Sequence, residues 1–319
     1  YRAREAAAGD QAGRPDAGRT PSMTAPTSPA PTALPPAGGA EPSRGKTGIV
    51  LAGSLVKARQ APNPVLLAAG GAAVLLLFAL FAVGALIMRG AGCTLNDIVD
   101  RDIDGRVART ATRPIPSGAV SVRNAVVFLG LQLLAGLAVL TQFNGFAIAL
   151  GAGALPLIAV YPFMKRITYW PQAFLGITFN WGALLGFAAV TGTLGAEALA
   201  LYAGGFFWTL GYDTIYAHQD KEDDILIGVK STALKFGAAT GPWLIGFYAI
   251  TVCLLAMAGY LAELPWPFYL ALGMGASQLA WQIRAVDLTD PKNCLAKFKS
   301  NRDFGLIILA GIVAGQVMS

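Results

Sequence analysis

Continuous apolar stretches, each close to the length needed to cross a lipid bilayer, dominate this chain. A helix needs about 20 consecutive apolar residues to span the hydrocarbon core. We read such stretches at 64–88, 122–141, 144–164, 171–191, 198–217, 238–260, 266–286 and, in a shorter form, 304–318. Because the apolar residues are continuous and do not alternate with polar ones, they predict helices rather than the strands of a β-barrel. The sequence therefore predicts an all-α integral membrane protein embedded in the lipid bilayer.

The composition agrees with a membrane protein and excludes several kinds of site. Hydrophobic residues make up 55% of the 319 residues and charged residues only 13%, about half the charged fraction of an ordinary soluble domain. Cys93, Cys253 and Cys294 have no CxxC spacing, so neither a disulfide framework nor a zinc site is predicted. His218 is the single histidine, which excludes a multi-histidine metal centre and leaves His218 as either a base or a hydrogen-bonded interface residue. No nucleic-acid partner is expected.

The N-terminal part of the chain differs in composition from the rest. Residues 1–48 consist mainly of Pro, Ala, Gly, Ser and Thr with scattered Arg, which predicts a disordered low-complexity tail before a transmembrane domain at 49–319. The tail lacks the features of a secretory signal, and because the chain begins at Tyr1, Met23 is a possible alternative start. The tail contains acidic residues, whereas mitochondrial transit peptides are poor in them. This difference favours a bacterial inner membrane over a mitochondrial one. These acids are Glu5, Asp10, Asp16 and Glu41.

The basic residues between the apolar stretches predict an orientation. They lie in the connections after the first, third, fifth and seventh stretches and are absent from the second, fourth and sixth connections. The positive-inside rule places the basic connections on the cytoplasmic side. Basic residues also precede residue 64, which conflicts with a first span at 64–88 unless another helix lies upstream. These residues are Arg44, Lys46, Lys57 and Arg59.

Two groups of acidic residues lie at the ends of apolar stretches, on the predicted cytoplasmic side. The first group is Asn96, Asp97, Asp100 and Asp104, and the second is Asp213, Asp220 and Asp224. On a helix, Asn96, Asp100 and Asp104 share one face, as do Asp220 and Asp224, with Asp213 two turns earlier. Acids beside hydrocarbon are costly and usually functional. Oxygen ligands at this spacing favour divalent cations, and Mg2+ fits best because it completes its shell with water and substrate phosphate.

Basic and hydroxyl residues follow each acidic group. Arg109, Arg113 and Ser117 follow the first, and Lys230 and Ser231 follow the second. Acids with nearby cations predict a metal-bridged anion, above all a diphosphate. The alternative, that these charges only cap helices and set topology, leaves the matched spacing of the acids unexplained. With an apolar bundle behind it, such a site suits a lipid diphosphate, whose allylic carbocation forms once the leaving group is neutralised and must be shielded from water.

The motifs resemble those of the UbiA-type intramembrane prenyltransferases. Asn96-Asp97-x-x-Asp100-x-x-x-Asp104 is similar to the first family signature, and Asp220-x-x-x-Asp224 to the second. Five further stretches resemble motifs of the 4-hydroxybenzoate polyprenyltransferase branch. They lie at 88–93, 113–118, 161–166, 212–217 and 227–233. The resemblance runs from about residue 64 to the C-terminus. Residues 57–64 match the sequence pattern of the family's first helix only weakly.

The resemblance implies a fold, a reaction and a set of site residues. The fold would be a UbiA-like bundle of nine helices around a central cavity that opens to lipid. The reaction would move a polyprenyl group from all-trans-polyprenyl diphosphate to carbon 3 of 4-hydroxybenzoate, with release of diphosphate, in ubiquinone biosynthesis. The implied magnesium ligands are Asn96, Asp97, Asp100, Asp104, Asp220 and Asp224. The implied catalytic carboxylates are those of Asp100, Asp104, Asp220 and Asp224. The implied substrate contacts are Arg109, Arg113 and Lys230 at the diphosphate, Arg166 with Lys165 at the acceptor carboxylate, and Asp213 in support.

Two other classes of protein remain open at this point. Related prenyltransferases with haem, menaquinone or other acceptors share the aspartates, although the segment at 212–233 favours the hydroxybenzoate branch. A cation-coupled transporter would also place acids within a helical bundle. Transport sites usually lie near the bilayer midplane on broken helices, whereas these acids lie at helix ends beside arginines.

Overall fold

The computed structural model describes residues 64–105 and 110–318, and the regular structure in these residues is entirely helical. The tail at 1–48, the basic residues before residue 64 and Arg109 lie outside the described residues. We number the helices α1 Pro64–Asp104, α2 Val122–Leu140, α3 Gly145–Ile167, α4 Pro171–Phe179, α5 Trp181–Thr191, α6 Ala196–Ala217, α7 Lys221–Ile227, α8 Thr232–Phe236, α9 Thr240–Leu261, α10 Trp266–Ala285 and α11 Pro291–Met318, with a 3-10 turn at Gly237–Ala239 between α8 and α9.

The described helices confirm the predicted all-α membrane fold. Six helical stretches are long and apolar enough to cross a membrane: Gly70–Asp104, Val122–Leu140, Gly145–Ile167, Pro171–Thr191, Thr232–Leu261 and Pro291–Met318. Helices α6 and α10 correspond to two further predicted spans and have 22 and 20 residues. Polar residues interrupt their apolar stretches, Thr209 and Asp213 in α6 and Gln278 and Gln282 in α10, and neither helix is among the six.

Helix α1 is longer than the first predicted apolar stretch. It continues for 41 residues to Asp104, so the first acidic group lies on its last turns. Asn96, Asp100 and Asp104 therefore occupy one face of a single helix, as predicted. Helix α11 likewise begins at Pro291 rather than near residue 304, because a charged, helix-forming segment extends it beyond its apolar part.

The second acidic group departs from the prediction of one continuous helix. Helix α6 ends at Ala217, and Asp220 stands immediately before the separate short helix α7. The acidic residues of the first turn of α7 favour a helix N-terminus at this point because they interact favourably with its dipole. Asp220 and Asp224 still lie one turn apart, since the backbone N–H of Asp224 donates to the carbonyl oxygen of Asp220 at 2.8 Å.

Helices α6, α9, α10 and α11 form the most closely packed part of the molecule. Tyr248, Leu255, Phe268, Leu279 and Phe304 are buried together between α9, α10 and α11. Glycines allow close approach, as small residues commonly do between membrane helices. A Cβ atom at Gly211 of α6 would lie 2.3 Å from Cε1 of the Tyr248 ring.

Helices α1, α2 and α3 follow one another in antiparallel order. Thr94 Oγ1 donates to Gln132 Oε1 at 3.1 Å, and further along the α1–α2 contact a Cβ at Gly136 would meet Met88 Sδ at 2.6 Å. The rings of Phe81 and Phe143 are in contact at the other end of this pair, with centroids 4.9 Å apart. The space beside α1, α2 and α3 is closed by α4, α5 and α6, and it is the site of the main cavity.

Candidate active site

A cavity of about 1510 Å3 lies among α1 to α7. This volume exceeds the 300–1,000 Å3 of usual small-molecule sites and suits a long ligand. Its lining is charged at one end and apolar at the other. The helix order explains the division, because α1, α3 and α6 all bring their C-terminal ends, and α4 its N-terminal end, to the charged side.

Both acidic groups line the charged end of this cavity. Helix α1 contributes Asn96, Asp97 and Asp104, and the second group contributes Asp213, Asp220 and Asp224. Asp223, which adjoins Asp224 in the sequence but was not among the candidate site residues, lies on the same surface. The structure thus brings to one surface two sets of carboxylates that are more than one hundred residues apart in the chain. This is the arrangement expected if one polar ligand contacts both sets.

Arg113 joins two carboxylates of the first group. Its Nη1 atom donates to Asp97 Oδ1 at 2.9 Å and to Asp104 Oδ2 at 2.8 Å. Thr110 Oγ1 also donates to the carbonyl oxygen of Asp104 at 2.9 Å, so Thr110 and Arg113 both contact the end of α1. Gly118 has a φ of +77°, which a glycine adopts without strain, and it lets the loop after α1 turn toward α2.

Asp100 is fully buried and is held by the basic residues at the end of α3. Its carboxylate accepts hydrogen bonds from Lys165 Nζ and, at 3.2 Å, from Arg166 Nη2. Arg166 Nη2 also donates to the carbonyl oxygen of Val99 at 2.8 Å. Lys165 lines the cavity, whereas Asp100 and Arg166 do not. The structure therefore does not bring Asp100 and Arg166 to the cavity surface, where metal binding and acceptor binding would require them.

The surroundings of Asp224 differ from those of the first group. Burial, and next the neighbouring carboxylate of Asp220, raise the pKa of Asp224 to about 6, and a hydrogen bond with Ser231 and the charge of Lys165 only partly oppose this. A carboxylate with a raised pKa gains from a nearby cation. The cavity surface around α7 is therefore suited to a positively charged ligand.

Lys230 and His218 lie near α7 and differ in their access to the cavity. Lys230 lines the cavity, donates from Nζ to the carbonyl oxygen of Ile167 at 3.1 Å, and lies over the Tyr169 ring. His218 does not line it and is hydrogen-bonded through Nε2 to Thr240 Oγ1 at 3.0 Å. Burial lowers the pKa of His218 to about 4. Of the two roles considered for His218, the structure thus favours the hydrogen-bonded interface residue.

The oxygen ligands that line the cavity suit a magnesium ion that is completed by water and phosphate, rather than a metal ion held by protein ligands alone. In the described part of the chain, no three His, Cys, Asp or Glu side chains lie close enough together to form a ready-made metal site. The cavity instead presents carboxylate and amide oxygens from two separate walls. Mg2+ is usually held by one or two carboxylates together with water and substrate phosphate, so this arrangement is compatible with it.

The comparison with protein families agrees with this geometry. The model of the UbiA prenyltransferase family matches residues 61–307. The chain belongs to the UbiA prenyltransferase family. The resemblance of the chain to this family is thereby confirmed.

Curated relatives that match this chain carry the name of one branch of the UbiA family. The chain is 54% identical over 239 residues to "4-hydroxybenzoate polyprenyltransferase, mitochondrial" of Arabidopsis thaliana. The match covers 75% of this chain and 59% of that relative, and similar relatives from two insects are covered over 62% and 54% of their lengths. The chain thus spans about three fifths of the length of these relatives.

Solved structures of UbiA homologues share the fold. The apo structure of a homologue from Aeropyrum pernix K1 superposes with a TM-score of 0.64 at 26% identity, over 74% of this chain and 88% of that one. A homologue from Archaeoglobus fulgidus, solved bound to GPP and Mg2+, gives a TM-score of 0.56 at 23% identity, over 73% and 87% of the two chains.

Sequence reasoning for this UbiA family member overlooked several cavity residues. Tyr161 of α3, Gln172 of α4 and Tyr216 of α6 line the cavity together with Asp223. Tyr161 precedes Lys165 by one helical turn, so the four-residue spacing within the 161–166 motif could have indicated that the two share a face. Gln172 Oε1 accepts a hydrogen bond from the backbone N–H of Thr232 at 3.0 Å, a contact that no sequence pattern predicts.

Proposed function

We propose that this chain transfers a polyprenyl group from a polyprenyl diphosphate to carbon 3 of 4-hydroxybenzoate, with release of diphosphate, as a step of ubiquinone biosynthesis. The observation that carries the proposal is the division of one large cavity. Two acidic groups and several cations lie at one end, and an apolar tunnel continues from them. A diphosphate head and an isoprenoid tail match these two parts. The name of the Arabidopsis relative supports 4-hydroxybenzoate as the acceptor.

The diphosphate head would bind at the charged end of the cavity. Asn96, Asp97 and Asp104 on one wall and Asp220 and Asp224 on the other would hold magnesium. When bound, this ion neutralises charge on the leaving diphosphate and so favours cleavage of the allylic carbon–oxygen bond. Arg113 and Lys230 line the same end, and we assign them to direct contact with phosphate oxygens.

The acceptor carboxylate is assigned to Lys165 rather than to Arg166 alone. Lys165 lines the cavity, and Tyr161 one helical turn before it lines the cavity too. Arg166 holds Asp100 from outside the cavity and thereby fixes the end of α3 against α1. In this arrangement Arg166 positions Lys165, and Lys165 meets the substrate.

The chemistry of the acceptor determines the product. The hydroxyl group of 4-hydroxybenzoate donates electron density to its ortho carbons, and its para carbon carries the carboxylate. The bond between the allylic carbon and the diphosphate oxygen breaks, and the electron pair leaves with the diphosphate. The ring supplies an electron pair from carbon 3 to form the new carbon–carbon bond. The proton of carbon 3 then needs only a weak base such as Asp220 or the released diphosphate, so no histidine is required.

The membrane location is proposed from the relatives. The acids of the tail at 1–48 favoured a bacterial inner membrane, but the relatives do not support that preference, because the matched polyprenyltransferases are named as mitochondrial. We therefore assign the chain to the mitochondrial inner membrane. The charged end of the cavity would lie on the side of the basic connections.

Product analysis tests the proposal directly. Purified protein in lipid is supplied with Mg2+, geranylgeranyl diphosphate and 4-hydroxybenzoate, and the product is examined by mass spectrometry and NMR. We expect 3-prenyl-4-hydroxybenzoate and one equivalent of diphosphate. An O-prenyl ether or a prenyl ester would contradict carbon alkylation. Cation transport across the membrane without any prenylated product would favour the alternative of a cation-coupled transporter.

A further inference from the structure

A groove separate from the active-site cavity lies between α6 and α11. Its volume is about 270 Å3. Its lining residues are Trp208 and Tyr212 of α6 and Phe298, Lys299, Asn301, Arg302 and Gly305 of α11. In the described part of the chain, no residue lines both the groove and the main cavity. The function proposed above therefore gives this groove no role.

The floor of the groove is aromatic and is held in place by side-chain contacts. The ring centroids of Trp208 and Tyr212 are 5.3 Å apart, and those of Tyr212 and Phe298 are 5.6 Å apart. Trp208 Nε1 donates a hydrogen bond to the Oδ1 atom of the buried Asn301 at 2.8 Å. A side chain larger than that of Gly305 would enter the space beside the indole, because its Cβ would already lie 3.4 Å from Trp208 Cη2.

Two cations lie at the rim of the groove. Lys299 and Arg302 are both exposed. Arg302 Nη2 lies 3.0 Å from Asp303 Oδ1, and the two side chains are 79% and 51% exposed. An exposed ion pair of this kind contributes little to stability, so an anionic ligand can compete for Arg302. The nearby Lys297 is instead buried, with its ammonium 3.6 Å from the centroid of the Trp281 ring, and does not line the groove.

A stripe of exposed apolar side chains continues from this rim along α11. Leu306, Leu309 and Val313 follow Lys299 and Arg302 at spacings of three or four residues, so all five lie on one face of the helix. The three apolar side chains are 57%, 51% and 52% exposed. Eleven residues separate Arg302 from Val313, which is about 16 Å along a helix. This length matches one leaflet, about half of the roughly 30 Å hydrocarbon core.

The rim of the groove lies near the charged end of the main cavity. The rings of Phe298 and Tyr216 are in contact, with centroids 4.5 Å apart. Tyr216 is in the last turn of α6, which reaches the charged side. The two rim cations are thus near the membrane surface on the side of the basic connections, and the apolar stripe runs from them into the bilayer.

We propose that the groove between α6 and α11 binds an anionic phospholipid, with its phosphate at Lys299 and Arg302 and an acyl chain along the apolar stripe of α11. Basic pockets between membrane helices are known to bind anionic lipid headgroups on this side of a membrane. A zwitterionic lipid gains less from the rim, because its own cation offsets the charge of its phosphate. The inference does not depend on the prenyl-transfer reaction.

Lipid binding by the full chain tests the proposal. The delipidated protein in detergent is titrated with dioleoyl phosphatidylglycerol or with dioleoyl phosphatidylcholine, and native mass spectrometry gives the Kd of the first bound lipid. We expect phosphatidylglycerol to bind roughly tenfold more tightly or better. Lys299→Gln and Arg302→Gln should each weaken its binding about fivefold, the factor that corresponds to about 1 kcal/mol for each cation near a membrane surface. The Kd of phosphatidylcholine should change little.

Two further variants separate the contributions of charge and shape. Asp303→Asn should strengthen the binding of phosphatidylglycerol, because it frees Arg302 and removes a negative charge beside the phosphate. Gly305→Leu should weaken that binding without any change of charge, because the leucine fills the space beside Trp208.

Lys292→Gln is the matched control. Lys292 lies in the first turn of α11, is exposed and does not line the groove, so its variant should bind phosphatidylglycerol as the wild type does. A loss as large as that of Arg302→Gln would show a general effect of surface charge and would overturn the site. Equal affinity of the wild type for the two lipids would overturn it too. Displacement of phosphatidylglycerol by millimolar inorganic phosphate would show a site for a free anion and would refute the lipid.

Discussion

The two acidic groups line the same cavity but differ in what surrounds their carboxylates. In the first group the protein supplies cations of its own, since Arg113 contacts Asp97 and Asp104 while Lys165 and Arg166 hold Asp100. In the second group, burial and the charge of Asp220 dominate the surroundings of Asp224 and raise its pKa. Similar aspartate motifs thus have different electrostatic surroundings, although both can contribute ligands to one bound ion. Cations of the protein itself contact the first group, whereas burial makes an added cation favourable beside Asp224 of the second.

The comparison predicts opposite effects on stability when Asp100 of the first group or Asp224 of the second is replaced. A carboxylate that already has a cation partner stabilises the fold, and its removal leaves the partner unpaired. A carboxylate with a raised pKa is less favourable when ionised in the folded protein, and its removal relieves that cost. Four experiments test this contrast and the roles assigned to these residues.

The largest effect is expected for Asp100→Ala. This change leaves Lys165 and Arg166 without their buried acceptor and should lower the free energy of unfolding by about 3 kcal/mol, or Tm by roughly 6–12 °C. Thermal unfolding in detergent measures it. Asp102→Ala is the matched control, because its side chain is 76% exposed and pairs with Arg101, which is 45% exposed. Equal Tm values for Asp100→Ala and Asp102→Ala would contradict the structural role assigned to Asp100.

The next effect concerns catalysis by the second group. Asp220→Ala should reduce prenyl transfer at least about 100-fold, because a bound metal contributes several kcal/mol to the transition state. Tm should fall much less than for Asp100→Ala. Glu222→Ala serves as the control, since Glu222 lies on α7, is exposed and does not line the cavity. EDTA should inhibit the wild type, and added Mg2+ should restore it; transfer near the wild-type rate in Asp220→Ala would refute the metal-bridged site.

A smaller effect distinguishes Lys165 from Arg166. Lys165→Met should raise the KM for 4-hydroxybenzoate roughly 10- to 100-fold, the loss expected for one hydrogen bond to a charged group, while the KM for the prenyl diphosphate changes little. Arg166→Met should mainly lower Tm. A larger rise of the acceptor KM in Arg166→Met would return the acceptor carboxylate to Arg166, and equal changes for both substrates would place Lys165 at the diphosphate.

The smallest effect is a gain in stability from Asp224→Asn. In metal-free protein at pH 7 the ionised Asp224 carboxylate is unfavourable, because its pKa of about 6 in the folded protein exceeds its ordinary value of 3.8. The variant should therefore unfold at a Tm roughly 2 °C higher, and it should bind Mg2+ more weakly. The gain should shrink as the pH falls from 7 through 6 toward 4, since the carboxyl group of the wild type becomes protonated. A Tm of Asp224→Asn below that of the wild type at pH 7 would contradict the destabilising effect assigned to the ionised Asp224.

Local sequence patterns were sufficient for the helices and for the identity of the acids. Apolar length predicted the bundle, and the four-residue spacing predicted the shared face of Asn96, Asp100 and Asp104. The same spacing failed after Ala217, where a helix N-terminus at α7 replaces the predicted continuation of α6. Periodicity is equally satisfied by one long helix or by two helices joined by a turn, so it could not locate the break.

The sequence by itself determined which chemical groups this protein possesses, and the tertiary structure decided which of them meet. The order of apolar stretches and acids follows from hydrophobicity and helical periodicity, which are local properties. The contacts of Asp100 with Lys165 and Arg166 join residues that are tens of positions apart, and Asp100 does not line the cavity. Such contacts depend on how helices pack against each other, because the side chains that fill the space between two helices select their register and rotation.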